Sequence, residues 1–137
     1  MISAVMKISN KNKRSQGRPS LRCISVRRAH HHHALNFSVT LAKELNLQEE
    51  CKVNIIKQGA KYYLSLGETG YNIRVKHNGG ITTVAPDTLT CSSVEIVNTL
   101  LSFAGAEKVA KFIIGANCVI IHECKCYLII PTPLRVD

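Results

Sequence analysis

Tryptophan is absent from this sequence, and aromatic residues make up only 5% of its 137 positions. A platform that stacks unpaired bases needs several exposed rings, so that mode of binding is not expected. No stretch approaches the ~18 apolar residues of a membrane-spanning helix. Met1–Met6 is too short an apolar run for a secretory signal, and a polar, basic run follows it. Phosphate-cradling glycine motifs, a nucleophile elbow and a His-Glu-x-x-His sequence are all missing. The acidic residues are few and scattered, so no paired-carboxylate site is suggested. These absences point away from an enzyme, a cofactor and a membrane.

What is present is uneven charge. The formal net charge is +9. Residues 1–28 hold eight Lys or Arg and no acid, while residues 29–137 hold the remaining ten basic residues and all nine acids, a net of +1. Concentrated like charge repels itself, resists folding alone and attracts phosphate. The first 28 residues therefore read as a flexible basic arm on a nearly neutral body. Six Cys without a secretory signal suit reduced thiols in a cytoplasmic setting, in a bacterial or phage-infected cell. The arm's Ser- and Arg-rich, acid-free composition also fits a mitochondrial transit peptide, although Gly17 and Pro19 interrupt any amphipathic helix there.

Hydropathy patterning divides the body into two similar units. Leu21–Arg27 reads as a strand docking on the body, and His30–His33 stands at a strand entrance. Leu35–Phe37 is extended, Ser38 can cap a short helix, and Leu41, Ala42 and Leu45 share one helical face. Cys51–Ile56 alternates as a strand, Lys57–Lys61 turns around Gly59, and Tyr62–Leu66 returns. Tyr71–Lys76 and Ile81–Val84 suggest a second hairpin around His77-Asn78-Gly79-Gly80, with Ala85–Thr90 as a connection. Ser92 and Glu95 fit a capping box before a helix that buries Val94, Val97, Leu100 and Leu101. Val109–Ile114, Cys118–His122 and Cys126–Ile130 then read as strands, with Pro131 and Pro133 ending the fold. Each unit runs cap, helix, turn, Lys-Val strand, return strand. One unit could hardly bury its own apolar face, so the two should pack together. The expected class is α+β, mainly β, with an arm at 1–28, lobes at 29–70 and 89–137, and a connecting hairpin at 71–88.

The stretch from Phe37 to Ile55, with Leu45-Asn46-Leu47 closing the helix and Glu49-Glu50 in the turn, resembles the AbrB/MazE/SpoVT swapped-hairpin family. The resemblance covers residues 31–68 well and 89–131 weakly. The arrangement also looks like small two-lobed proteins of unknown function from Bacteroidetes genomes and mobile elements. It implies two AbrB-like lobes and, by family analogy, a DNA-associated role. The family pattern has Pro where Ser38 or Val39 stands and Gly where Asn46 stands. Its DNA-contacting Arg positions are filled here by Lys43-Glu44 and by His30–His33, so the family's DNA surface is not carried over by these residues.

The arm carries the sharpest motif. Lys13-Arg14-Ser15-Gln16-Gly17-Arg18-Pro19 resembles an AT-hook core, in which an extended Arg lies in the narrow minor groove of A·T-rich DNA. Gln16 replaces the first Arg of a full hook. The candidate nucleic-acid-binding residues are Lys11, Lys13, Arg14, Gly17, Arg18, Pro19, Arg22, Arg27 and Arg28. Cys118, His122, Cys124 and Cys126 lack a Cys-x-x-Cys spacing, and neighbouring strand positions wrap a tetrahedral ion poorly, so they read as buried thiols and a strand-end His, and no metal is expected. The expectation is a non-enzymatic, homo-oligomeric protein that binds nucleic acid, DNA before RNA. The alternative is a structural or assembly component of a phage particle or other large complex, whose arm docks on neighbouring subunits.

Overall fold

The computed structural model describes residues 21–76 and 88–136. The described residues form ten strands and two helices: β1 (Cys23–Ala29), β2 (His32–Phe37), α1 (Val39–Glu44), β3 (Lys52–Gln58), β4 (Lys61–Gly67), β5 (Tyr71–Asn72), β6 (Arg74–Lys76), β7 (Thr88–Cys91), α2 (Val94–Ala104), β8 (Val109–Ile121), β9 (Cys124–Ile129) and β10 (Arg135–Val136). It is mainly β, as its alternating segments require. No helix among the described residues is long and apolar enough to cross a membrane.

All strands join one antiparallel sheet in the order β5-β3-β4-β9-β8-β1-β2-β7-β6, with β10 paired to β8. The two ends of this order, β5 and β6, are neighbours in sequence, separated only by Ile73. Ile73 is buried, its amide donates to the Cys51 carbonyl at 3.0 Å, and its own carbonyl accepts from the Glu50 amide at 3.3 Å. One short segment thus bridges both edges and makes the sheet a nearly closed barrel. Gly70 enables the approach. Its φ is +126°, and a Cβ there would stand 2.5 Å from the Val53 carbonyl oxygen.

The halves interleave. In β1-β2-α1-β3-β4 and β6-β7-α2-β8-β9 the elements come in the same order, but β2 pairs with β7, β4 with β9, and β1 with β8. A single sheet therefore runs across the boundaries expected at 70 and 88. Sequence reading missed this because each strand's apolar alternation states which face is buried, not which strand is its neighbour.

Alternation sets the core. Ile24 and Val26 of β1, Leu35 and Phe37 of β2, and Ala110, Phe112 and Ile114 of β8 point inward and are buried. α2 packs across β1, β2 and β8 through Ile96, Val97, Leu100 and Leu101. Each such Leu or Ile contributes about 1.5–3 kcal/mol by leaving water. Phe103 at the end of α2 stacks on Phe112 at 5.8 Å and meets Tyr62 of β4 edge-on at 4.6 Å.

Several expected boundaries are corrected. The arm boundary at 28 falls inside β1, because Ile24 and Val26 have a core to enter. Ser93, not Ser92, caps α2, accepting from the Ile96 amide at 3.1 Å. This moves the helix by one residue and leaves Val94 exposed, with Ile96 taking its place in the core. Glu95, freed from the capping box, accepts a hydrogen bond from the Tyr71 hydroxyl at 2.6 Å. Thr88–Cys91 is a strand and not a connection, because β2 offers it a partner edge. Val109–Ile121 is one strand where two were expected, and Arg135–Val136 adds a short strand beyond the two prolines. The expected strand Ile81–Val84 lies outside the described residues.

Candidate nucleic-acid interface

The nine candidate residues divide into three groups. Lys11, Lys13, Arg14, Gly17, Arg18 and Pro19 lie outside the described residues. Arg22 and Arg28 are engaged in holding the fold. Arg27 is exposed on the outer face of the sheet.

Arg22 sits just before β1. Its guanidinium pairs with Glu44 at the end of α1 and donates to the backbone carbonyls of Gly115 at 2.8 Å and Ile114 at 3.4 Å. These bonds tie the start of β1 to α1 and to the middle of β8. Arg28 falls on the inner parity of β1. It donates to Asn98 Oδ1 of α2 at 2.8 Å and to the Glu107 carbonyl. Both guanidiniums have already satisfied the groups that a phosphate would need.

Arg27 points the other way, because successive strand residues alternate faces. Around it the pairing register assembles a surface that the linear sequence conceals. Arg135 lies opposite Lys111, Lys111 opposite Ser25, Ser25 opposite Asn36, Asn36 opposite Thr90, and Thr90 opposite Arg74. This row crosses six strands and contains three cations, three neutral hydrogen-bonding side chains and no acid. Five steps at the ~4.8 Å spacing of neighbouring strands make it about 24 Å long. Beside it, Arg27, His32, Ala34, Asn36, Arg74, Lys76, Thr90 and Ser92 help to line a shallow depression of about 560 Å³.

Arg27, Arg74, Lys76, Lys111 and Arg135 make no side-chain hydrogen bond or ion pair with another described residue. Their positive potential is therefore not cancelled locally and is available to an anion. Asn36 and Thr90 stand between them as neutral polar groups, though the Thr90 hydroxyl already donates to the Leu35 carbonyl at 3.2 Å. The chemistry on offer is recognition of a polyanion by several separated charges.

Arg74, Lys76, Lys111 and Arg135 were missed in sequence. Their signal was local: each of Arg74-Val75-Lys76 and Ala110-Lys111-Phe112 alternates cation with apolar residue and so predicts an outward cation. Their convergence has no signal in spacing, since Arg74 and Arg135 are 61 positions apart and meet through four intervening strands.

The four histidines form the β1–β2 turn and the start of β2. His30 takes a left-handed φ of 48°, and the rings of His30 and His31 lie 6.5 Å apart. His32 reaches the basic depression. The possible ligands at the other end do not converge. Cys118 is exposed on β8, Cys126 is buried on β9, and His122 and Glu123 form the turn between the two strands at φ 51° and 67°. Among the described residues no three His, Cys, Asp or Glu side chains gather as a metal site.

No family model matches this chain, and neither a curated protein nor a solved structure matches it.

Proposed function

We propose that the protein binds nucleic acid, DNA in preference to RNA, without catalysing a reaction, and that the basic row on the outer sheet face acts together with the N-terminal arm. The observation that carries this reading is the acid-free row from Arg135 to Arg74, flanked by Arg27 and Lys76, with its cations unpaired within the described fold. A row of about 24 Å is long enough to meet phosphates on both sides of a B-DNA major groove, which is about 12 Å wide. The arm enters the described fold at Leu21, next to β1, which contributes Ser25 and Arg27 to this surface. Neutral Asn36 and Thr90 at its middle suit contacts to a backbone or base edge between the charged ends.

Two features support the AbrB-like part of the reading. Asn46 takes a left-handed φ of 52° at the helix end, the conformation for which Gly is the favoured residue. The hairpins of the two halves also interleave in one barrel-like sheet. With AbrB-like halves in a single chain, the protein would present one composite face in place of two identical ones.

The test is a salt series of binding to A·T-rich duplex, G·C-rich duplex and single-stranded RNA. It compares the full chain, a version lacking residues 1–20, and the double variant Arg27→Glu/Arg74→Glu. The expected result is a steep fall of affinity with salt for the full chain, since each neutralised phosphate releases counterions. The slope should be smaller than that of the full chain for both the truncation, which removes five cations, and the double variant, which removes two. Equal binding by all three proteins, or none at low salt, overturns the reading. The alternative of an assembly component is favoured by one observation, the exposed apolar end of the β8–β9 hairpin.

A further inference from the structure

The depression on the basic face has Ala34 at its floor. Ala34 lies on the outward parity of β2 between His32 and Asn36, opposite Arg27 of β1. Asn36 is opposite Thr90, and Thr90 opposite Arg74, so Arg74 closes the far side. A methyl group among long side chains leaves a gap in the surface. Ala34 is only 6% exposed, and the space above it measures about 560 Å³. The walls carry three fixed cations, Arg27, Arg74 and Lys76, with one histidine, His32, and no acid.

His32 is the one group here that exchanges a proton near neutral pH. Histidine changes charge between pH 5 and 8, while Arg and Lys keep theirs. The directly opposite residue on β1 is Ala29, and Arg27 stands on the diagonal, within reach of a long side chain. From β6, Arg74 and Lys76 line the same depression. On its own strand and turn, His33 and His31 share a smaller second depression with His32, beside Ser92 and Ser93. Glu95, in the first turn of α2, lines neither depression and accepts from the Tyr71 hydroxyl. The His32 imidazole has no hydrogen bond or ion pair with another described residue, so no protein group competes for its proton.

We propose that this depression is a phosphate subsite of the nucleic-acid surface and that His32 is its proton-linked ligand, the imidazolium donating to a phosphate oxygen held between Arg27 and Arg74. The proposal rests on the nucleic-acid reading and deepens it. At low pH His32 adds a fourth positive charge to the depression, and at high pH it adds none. Nucleic acid therefore binds more tightly as pH falls, and by reciprocity binding takes up a proton. Residues 1–28 contain no histidine, so this pH dependence belongs to the folded body and not to the arm.

The experiment is binding of the full chain to A·T-rich duplex DNA at pH 7.0 and 5.5, each over a salt series, beside His32→Gln, His32→Lys and, as a control, His122→Gln in the distant β8–β9 turn. At the lower pH the full chain and His122→Gln are expected to bind about threefold more tightly, the worth of one exposed charge pair. Their salt slope should steepen by about 0.9, the worth of one more neutralised phosphate. His32→Gln should stay at the weaker value at both pH values, and His32→Lys at the tighter one. Calorimetry of the unsubstituted chain in buffers of different ionisation enthalpy keeps the test open should a variant fail to fold, since proton uptake on binding is then expected. Binding that is steep in salt but the same at both pH values overturns the proposal and leaves the nucleic-acid reading standing. Absence of binding at both pH values overturns the two together. A pH effect that persists in His32→Gln, or binding without proton uptake, also overturns the proposal.

Discussion

The two helix-plus-hairpin halves share their turning points and differ in what they bury. In each, a serine caps the helix by accepting from the amide three residues on, Leu41 for Ser38 and Ile96 for Ser93. In each, a left-handed residue ends the helix, Asn46 at φ 52° and Gly105 at φ 71°. The next residue then donates back five positions, Leu47 to the Ala42 carbonyl and Ala106 to the Leu101 carbonyl, both at 2.9 Å. Yet α1 buries only Leu41 fully, while the eleven-residue α2 buries four side chains and brings Phe103 to the first half's hairpin. Backbone reversals admit few solutions, so they repeat. Core side chains have only to fill the space left to them, so they diverge.

The comparison can be tested by mutation, beginning with the largest expected effect. Leu101→Ala in α2 should cost about 3–5 kcal/mol, because the side chain is fully enclosed and the surrounding barrel cannot collapse onto the cavity. Leu45→Ala at the C-terminal cap of α1, where the side chain is only half buried, should cost about 1–2 kcal/mol by the area it covers. Urea unfolding of both variants measures the difference, and equal losses would show that α1 carries as much of the core as α2. Next, Ser38→Ala should cost about 1–2 kcal/mol and Ser93→Ala about 1 kcal/mol. Ser38 is expected to exceed Ser93 because its hydroxyl oxygen also accepts from the Cys23 amide at 3.1 Å, joining β1 to the helix start. Thermal unfolding of the two variants side by side would reverse this ranking if that second bond were unimportant. The smallest effect has the opposite sign. Asn46→Gly should stabilise by roughly 0.5 kcal/mol by removing the side-chain penalty of the left-handed conformation, whereas Gly105→Asn should destabilise by a similar amount.

Much of this fold was legible from local pattern. The helix after Ser38, the β3–β4 hairpin around Gly59 and the end of α2 at Gly105 follow from caps, alternation and glycine, which act over a few residues. The choice between Ser92 and Ser93 was not legible, because two adjacent serines offer the same hydroxyl and only the fit of Ile96 into the core decides. The proposed interface was legible in part. Arg27, which is exposed, was singled out for its place in a charged stretch and not for its parity on β1. Arg22 and Arg28 were grouped with it by charge alone, and sequence could not foresee that Glu44, Asn98 and three backbone carbonyls would claim them. Arg74, Lys111 and Arg135 come together only through strand register, a non-local property.

The Ile73 segment bears on how the molecule breathes. An open sheet frays independently at its two edge strands, and amides there exchange with solvent without reference to each other. Here both edges belong to one stretch of six residues, fastened at its centre by the two Ile73 backbone bonds to Cys51 and Glu50. Releasing that fastening exposes the free sides of β3 and β7 in a single event. Amide exchange along both strands should therefore share one opening free energy, so that a cut at Ile73 unzips two distant seams of the barrel at once.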